Sequence, residues 1–339
     1  MLLHLRLTVP AESAEDVLAL LDTHVGVAHL VHLPGAVRRP TGDLVLCDVA
    51  RESVDELVDA LQHQGVVSDG GISIEAVDAS LSASSARAVR EAPGHGADAV
   101  VWGQVIDAAD AESQLTATFL TFLSIASLLA AMAIVTDSAV LLIGGMVMGP
   151  EFSPLAGIAL GAVHRNRRLL RQSARTLVLG FAVATALTVV AALLVRAAGW
   201  ATLEDLLGER PATGFITRPD RWSFPVAFIA GAAGMLALTS AKSSSLVGVF
   251  ISVTTVPATA AFALAVAFGD WAEAGRSALQ LGINVLGILL AGLIALLVLR
   301  GLWRRAPRSL PRRRATGATR GRRRGGGRSR PALEEHLRS

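Results

Sequence analysis

The fold is decided by residues 138–163, which read SAVLLIGGMVMGPEFSPLAGIALGAV. In this apolar stretch Glu151 is the one charged residue. A helix needs roughly 20 apolar residues to cross a hydrocarbon core of about 30 Å, so this stretch is long enough to span a membrane. Pro150 and Pro154 lie near its middle, where proline removes a backbone hydrogen bond and crowds the preceding turn. The sequence therefore predicts a membrane-spanning helix that is broken near its centre.

Further apolar runs lie on both sides of this stretch. Apolar residues make up 52% of the 339-residue chain, and its mean hydropathy is +0.52. The long uncharged runs are concentrated after residue 114. They predict six spans, at about 115–136, 138–163, 176–196, 223–241, 244–268 and 277–299. The chain is therefore expected to be a multi-pass membrane protein.

The charges predict how these spans are oriented. Residues 1–114 hold 6 Arg against 18 Asp and Glu, whereas the remainder holds 25 Lys and Arg against 10 acidic residues. The loop from His164 to Arg171 is strongly basic, as is the tail after Arg300. Basic segments stay in the cytoplasm. Six spans then place both termini in the cytoplasm, with the protein in the cell inner (plasma) membrane.

The two halves of the membrane domain resemble each other weakly. Ser138 precedes Pro150 by 12 residues, and Ser245 precedes Pro257 by the same interval. Three spans per copy is an odd number, so the second copy enters the membrane from the opposite face. This predicts an inverted 3+3 repeat, with copies at about 115–198 and 223–300 and with proline-broken second and fifth helices. Secondary transporters use this architecture.

The first 78 residues have the pattern of a soluble domain. Leu3, Leu5 and Leu7 alternate with polar residues as in a half-buried strand, and Val54, Leu57 and Leu61 share one helix face. The order of such segments is βαββαβ, which is typical of a ferredoxin-like sandwich. The fold class is therefore α+β, a ferredoxin-like domain followed by an all-α membrane domain. The predicted core is Leu5, Leu7, Val17, Leu20, Val54, Leu57 and Leu61.

Three further segments complete the predicted organisation. Residues 79–96 are rich in Ser, Ala and Gly and predict a linker, while 97–114 predict an amphipathic elbow helix. The elbow lies either at the bilayer surface or against the soluble domain. Residues 301–339 are rich in Arg and Gly and predict a disordered tail. Binding of this tail to anionic lipid is favoured over binding to RNA, so no nucleic-acid partner is expected.

Two stretches resemble the signatures of a known family. They are residues 144–154, GGMVMGPEFSP, and residues 242–249, KSSSLVGV, followed by Pro257. Together with Asp137-Ser138 they resemble the uncharacterised membrane family called domain of unknown function 389. The resemblance covers about 110–300, and the soluble domain resembles the one often fused ahead of that family. It implies a membrane location and a fold but no substrate. Glu151 departs from the apolar residue expected there.

The broken second and fifth spans predict a polar site. An acidic side chain at the bilayer centre costs about 2.5–3.5 kcal/mol, so Glu151 is expected to face a cavity or a partner. Ser153, Thr254 and Thr255 are the other candidates for binding a solute or ion there. Pro150, Pro154 and Pro257 are the helix-breaking residues. The alternatives are a plain kink, a structural ion pair, or a protonated and hydrogen-bonded Glu151.

Lys242, the single lysine of the chain, suggests a second element of the site. With Ser243 and Ser244 it could form a polar helix start that holds an anion. The alternative is a lysine that extends its charge to the membrane surface. Asp137, at the outer end of the first span, is expected to be a solvated cap. No motif supports a metal site, a cofactor or a catalytic group, so the chain is not expected to be an enzyme.

The leading hypothesis is a transporter or channel for a small polar or ionic solute, regulated by the cytoplasmic domain. The alternative is a membrane sensor or scaffold that transports nothing and whose soluble domain oligomerises or binds a metabolite. In either case a homo-oligomer is expected.

Overall fold

The computed structural model describes residues 1–92, 99–203, 208, 210–214, 220–240 and 255–305. Its N-terminal part consists of four strands and three α-helices that follow one another along the chain. The elements are β1 (Leu2–Val9), α1 (Ala14–Thr23), β2 (Val27–Arg38), β3 (Thr41–Ala50), α2 (Arg51–His63), α3 (Val66–Asp69) and β4 (Gly71–Ala76). The four predicted strands are therefore present.

The strands form one antiparallel sheet in the order β2-β3-β1-β4. Leu5 lies opposite Cys47 on one side and Ile74 on the other. Strand side chains alternate between the two faces of a sheet, so the β1 leucines all point to the same face. That face packs against α1 and α2, and all the predicted core residues are buried there except Leu20. Leu20 is half-buried because α1 turns Ala14, Val17 and Leu21 towards the sheet.

The segment 79–96, predicted as a linker, contains a helix. Helix α4 (Ala83–Glu91) packs against β2 and β3. Its N-cap is Ser82, whose hydroxyl accepts hydrogen bonds from Ser84 N and Ser85 N. This helix was not predicted, because its sequence is rich in Ser and Ala, as in a linker. The helix is also short and has a small apolar face. The elbow helix α5 (Trp102–Glu112) lies within the predicted segment 97–114.

The rest of the described chain is helical. The helices are α6 (Ala117–Val135), α7 (Ala139–Met148), α8 (Phe152–Val163), α9 (Arg167–Ala197), α10 (Ser223–Thr239), α11 (Thr255–Phe268) and α12 (Trp271–Arg305). Three of the described helices, α6, α9 and α12, are long and apolar enough to cross a membrane. A fourth such span exists if α7 and α8 count as one bent helix. These helices are compatible with a membrane protein, by length and composition.

The predicted break in the second span lies between α7 and α8, whose axes differ by 47°. Pro150 stands in the break itself, where its missing N–H ends the helical ladder. Pro154 is the third residue of α8, and Pro257 is the third residue of α11 as described. The N–H groups of a first turn have no partner within the helix, so proline is tolerated at position 154. Pro150 interrupts the second span, whereas the segment before Thr255 lies outside the described residues, so a break of the fifth span at Pro257 stays a prediction.

Other boundaries differ from the predicted spans. Helix α9 begins at Arg167 rather than 176, with Asn166 as its N-cap, and α12 begins at Trp271 rather than 277. Charged residues in these first turns lowered the local hydropathy, although they are compatible with a helix. Helix α10 has 17 residues, about the shortest length that can cross a membrane. The first half of the predicted fifth span lies outside the described residues.

Candidate functional site

The break between α7 and α8 lies against α11 and brings together two side chains that are 104 positions apart. Thr255 Oγ1 donates a hydrogen bond to Glu151 Oε1 over 2.6 Å. Both residues have 0% of their surface exposed. Glu151 is the N-cap residue of α8, and Thr255 is the first described residue of α11. Two of the predicted site residues therefore meet where the break before α8 lies against α11.

The Glu151 side chain points away from its own helix. Its carboxylate accepts no capping hydrogen bond from the α8 backbone and instead reaches α11. Gly149, at the end of α7, leaves the space for this arrangement. A Cβ atom at Gly149 would collide with Glu151 Oε2 and lie 2.9 Å from Val256 Cγ2. Sequence analysis missed this requirement, although a glycine directly before Pro150 is the pattern that indicates close backbone approach.

The surroundings of the pair are largely apolar. Met146 and Val256 are buried in the same cluster, which α6 and α11 complete with small alanine side chains. Thr259 Oγ1 donates to Thr255 O over 2.9 Å and continues the polar line along α11. Burial of a carboxylate in such surroundings is costly unless the group is hydrogen-bonded or paired. The Thr255 hydroxyl supplies one such hydrogen bond.

Ser153 is not at this site. Its hydroxyl donates to Glu112 Oε2 of α5 over 2.7 Å, and its carbonyl accepts a hydrogen bond from Ser113 Oγ at 3.1 Å. Ser153 therefore joins α8 to the elbow helix.

The elbow helix α5 also contacts α9. Thr176 Oγ1 donates to Ser113 O over 2.8 Å, and Gln172 Nε2 donates to Asp110 O over 3.1 Å. At the other end of α5, the Trp102 ring packs on the His164 ring with centroids 4.8 Å apart. The elbow therefore lies against α8 and α9, and its polar contacts were not apparent from the sequence because hydropathy gives no information on partners.

Helix α5 is also attached to the N-terminal domain. The backbone N–H of Trp102 donates to Asp55 Oδ1 at 3.2 Å, and Arg51 Nε donates to Ala99 O at 2.8 Å. Val101 is buried in the core of the sheet domain. The elbow helix was predicted to lie either at the bilayer surface or against the soluble domain. Its N-terminal end packs against the soluble domain. One helix connects the sheet domain to α8, the helix that carries Glu151.

Asp55 lies in a partly buried position at this junction. Burial, followed by the nearby charge of Asp59, raises the pKa of its carboxyl group to about 6, although the hydrogen bond from Trp102 opposes both effects. A carboxyl group with this pKa changes its charge near neutral pH.

The remaining predicted residues are placed as follows. Thr254, Lys242, Ser243 and Ser244 lie outside the described residues. Asp137 is described, and the expected solvated cap is wrong. Its carboxylate accepts hydrogen bonds from Thr213 N at 3.0 Å, Thr213 Oγ1 at 2.8 Å and Ala212 N at 3.3 Å. Asp137 therefore fixes the loop before α10 to the end of α6.

Comparison with known families agrees with the resemblance in the sequence. Residues 146–290 match the family model described as Domain of unknown function (DUF389). The match includes Glu151 and Thr255, and the sheet domain lies outside it. No curated protein and no solved structure matches the chain.

Proposed function

We propose that this chain, whose residues 146–290 match the family model, is a multi-pass membrane protein that moves a small polar or ionic solute. Glu151 and Thr255 bind the solute or its coupling ion, and the N-terminal domain regulates the movement. The observation that carries this proposal is the hydrogen bond between Glu151 and Thr255, which joins the break before α8 to α11 in an apolar interior. Polar groups at interrupted helices are the usual construction of a transporter site.

Burial of Glu151 supports a functional role. An acidic group in the hydrocarbon region has a cost of about 2.5–3.5 kcal/mol on insertion scales, so its presence needs a reason. An amide or hydroxyl side chain at position 151 could accept the same hydrogen bond from Thr255. A carboxylate can, in addition, release and take up a proton or bind a cation. The site therefore favours a coupling ion or proton over a static contact.

The packing supports an inverted repeat in which α6 to α9 correspond to α10 to α12. Helix α8 packs against α9 and α12, and α11 packs in the same way against α12 and α9. The first helices show the same relation, since α6 packs on α9 and α10 packs on α12. Exchange of the two halves leaves these contacts unchanged, whereas α6 also packs on α11 and no comparable packing joins α10 to α8 among the described residues. Alternating access uses such symmetry, because one half can rock against the other around a fixed site.

The exposed surface supports a membrane location. Helices α9 and α12 expose rows of large apolar side chains, among them Val178, Leu187, Leu194, Leu279 and Leu286. Soluble monomers rarely expose apolar patches of this extent. In the proposed topology six spans cross the inner membrane, both termini are cytoplasmic, and the Arg-rich tail binds anionic lipid.

The N-terminal domain is proposed to be ferredoxin-like and regulatory. Its antiparallel sheet, with α1 and α2 on one face, supports this class, and α5 gives it a direct connection to α8. Homo-oligomerisation through this domain is part of the same proposal.

One observation favours the alternative, a sensor whose soluble domain binds a metabolite. A cavity of about 60 Å³ lies between the α1–β2 turn and α4. Its lining includes His24, Gly26, Ser84, Arg87 and Glu91. The cavity is large enough for a few waters or a very small ligand.

The substitution Glu151→Gln tests the transport proposal. Gln keeps the size and the hydrogen bond from Thr255 but removes the charge. Purified protein is screened against monovalent cations and small polar solutes by thermal stabilisation, since a ligand raises the apparent Tm by mass action. The wild type is expected to show stabilisation that depends on pH or on Na⁺, and the variant is expected to lose that dependence while staying folded. An unchanged dependence in the variant contradicts the proposal.

A further inference from the structure

A row of polar side chains lies on the buried face of α12. The residues are Ser277, Gln280 and Asn284, which are 0%, 6% and 0% exposed. Their spacing of three and four residues places them on one face of the helix. Glu273 is four residues earlier on the same face. The flanking positions Leu279 and Leu286 are exposed and apolar.

This row has more polar groups than partners. Gln280 Nε2 donates to Asn284 Oδ1 over 3.2 Å. Gln280 Oε1 and Ser277 Oγ are buried without a hydrogen-bond partner among the residues that the structure describes. A buried polar atom without a partner costs about 1–3 kcal/mol. Polar residues that only hold helices together would be paired with each other, so these two atoms indicate a site for water or solute.

The start of the row coincides with a buried ion pair. Arg210 Nη2 donates to both carboxylate oxygens of Glu273, over 2.8 and 3.0 Å. Their side chains are 10% and 7% exposed. The opposite end of α12 is near the sheet domain, because Arg300 Nη1 donates to Val163 O beside His164. The ion pair therefore lies at the end of the helical domain that is remote from the sheet.

The far end of the row is level with the candidate site. Helices α11 and α12 pack against each other and are joined at Gly269 and Asp270. With a rise of about 1.5 Å per residue, Thr255 and Asn284 are each about 21 Å from this turn along their helices. Because the two helices run in opposite directions, the two residues lie at the same depth. The row therefore leads from the Arg210–Glu273 pair to the level of Glu151 and Thr255.

We propose that Ser277, Gln280 and Asn284 line a path for water and a hydrogen-bonding solute from the remote face to this depth. The path is closed by the Arg210–Glu273 pair in this structure. Its lining offers uncharged hydroxyl and amide groups, which exchange hydrogen bonds with a solute as it leaves water. The inference rests on the proposed function and adds the route and the type of contact to it.

Cysteine accessibility tests the path. Ser277→Cys, an exchange of oxygen for sulfur at a buried position, is compared with Leu279→Cys on the exposed apolar face of the same helix. The probe is a trimethylammonium methanethiosulfonate, which does not enter lipid, applied to sealed vesicles from the side remote from the sheet domain. Cys47, the native cysteine, is fully buried, so the unmodified chain gives the background. Ser277→Cys is expected to react roughly tenfold faster than Leu279→Cys or more, because only a hydrated thiol ionises and reacts.

Opening of the ion pair provides the second arm. Arg210→Ala is expected to accelerate the labelling of Ser277→Cys and to leave Leu279→Cys unchanged. If Ser277→Cys reacts as slowly as Leu279→Cys in both backgrounds, the region is dry and the inference is overturned. Reaction only from the opposite side overturns it as well. The labelling result does not depend on Glu151, so the path and the proposed site can fail separately. If Ser277→Cys does not react but Glu151→Gln loses the pH response of the wild type, the path is rejected and the proposed site is retained.

Discussion

Asp55 of α2 accepts a hydrogen bond from the backbone N–H of Trp102, the first residue of α5, over 3.2 Å. The bond joins the sheet domain to the helix that packs on α8. Partial burial, followed by the charge of Asp59, raises the pKa of Asp55 from 3.8 to about 6. The junction between the two parts of the chain therefore contains a group that changes its charge near neutral pH.

This group predicts a pH dependence of stability. A carboxyl group with a raised pKa in the folded state binds its proton more tightly there than in the unfolded chain. Its contribution to stability is fully present below the unfolded pKa of 3.8 and is lost as the pH rises through about 6. We expect Asp55→Asn, which is neutral throughout, to reduce the fall in Tm between about pH 4 and pH 7. The comparison uses thermal unfolding of the full chain in detergent.

Asp59→Asn should have an intermediate effect on the pH dependence of the Tm. It removes one cause of the raised pKa of Asp55, the charge of Asp59, and leaves the burial of Asp55 unchanged. The exposed Asp22 on α1 provides the control. A fall in Tm that is the same in Asp55→Asn, Asp22→Asn and the wild type would show that Asp55 does not titrate as described.

The core of the sheet domain predicts a large effect of one truncation. Leu57 is fully buried between α2 and the sheet, so Leu57→Ala should cost about 2–5 kcal/mol of unfolding free energy. Val67, on the short helix α3, is about half exposed, and Val67→Ala should cost well under half as much. Denaturant unfolding followed by far-UV circular dichroism measures both. Equal effects of the two substitutions would contradict the packing described for α2.

The proposed orientation predicts which loops meet each side of the membrane. Ala198→Cys, at the exposed end of α9, should react with an impermeant maleimide from outside intact cells, whereas Arg168→Cys at the start of α9 should react only after lysis. Thr213 is unsuitable as an outer position because it is 2% exposed and hydrogen-bonded to Asp137. The native Cys47 should remain silent, since burial raises the pKa of its thiol to about 12. Labelling of Arg168→Cys in intact cells would overturn the topology.

The sequence predicted that Glu151 and Thr255 lie near each other, but it did not predict the neighbours of Ser153. Pro150 has no N–H, so the break after α7 was predictable, and the repeated Ser-to-Pro interval placed Thr255 opposite it. Ser153 was expected beside Glu151 but faces α5 instead. Two residues along a helix correspond to a rotation of about 200°, which turns the neighbouring side chain to the other face. Linear proximity was therefore the wrong criterion for Ser153.

The mean hydropathy of the long helices also gave no indication of their buried polar residues. Gln280 and Asn284 are surrounded by Leu, Ile and Val, so an average over the span hides them, although their spacing on one helix face was visible. Helix α4 was missed for the opposite reason, because its composition resembles a linker and its stability depends on the cap at Ser82 and on contacts with β2 and β3. Contacts between distant parts of the chain decide both features, and no local pattern contains them.

Gly149 has no side chain and so leaves room for the Glu151 carboxylate. The backbone of Gly149 has φ −71° and ψ 122°, a conformation that alanine adopts without strain. Any loss of stability in Gly149→Ala should therefore come from the added Cβ, which would collide with Glu151 Oε2 and lie 2.9 Å from Val256 Cγ2. Either the carboxylate loses its hydrogen bond to Thr255, or α7 and α11 move apart.

Gly144 on α7 provides a matched control, since an added Cβ there meets nothing within 4 Å. Gly144→Ala should raise stability by about 0.5–1 kcal/mol, because alanine restricts the unfolded chain more than glycine does. Gly149→Ala should lower the Tm and weaken the pH- or Na⁺-dependent stabilisation assigned to Glu151, whereas Gly144→Ala should preserve it. The two variants carry the same chemical change on one helix and differ in their distance from the site. If Gly149→Ala keeps both the Tm and the ion dependence of the wild type, the close contact among Gly149, Glu151 and Val256 has no role in the site.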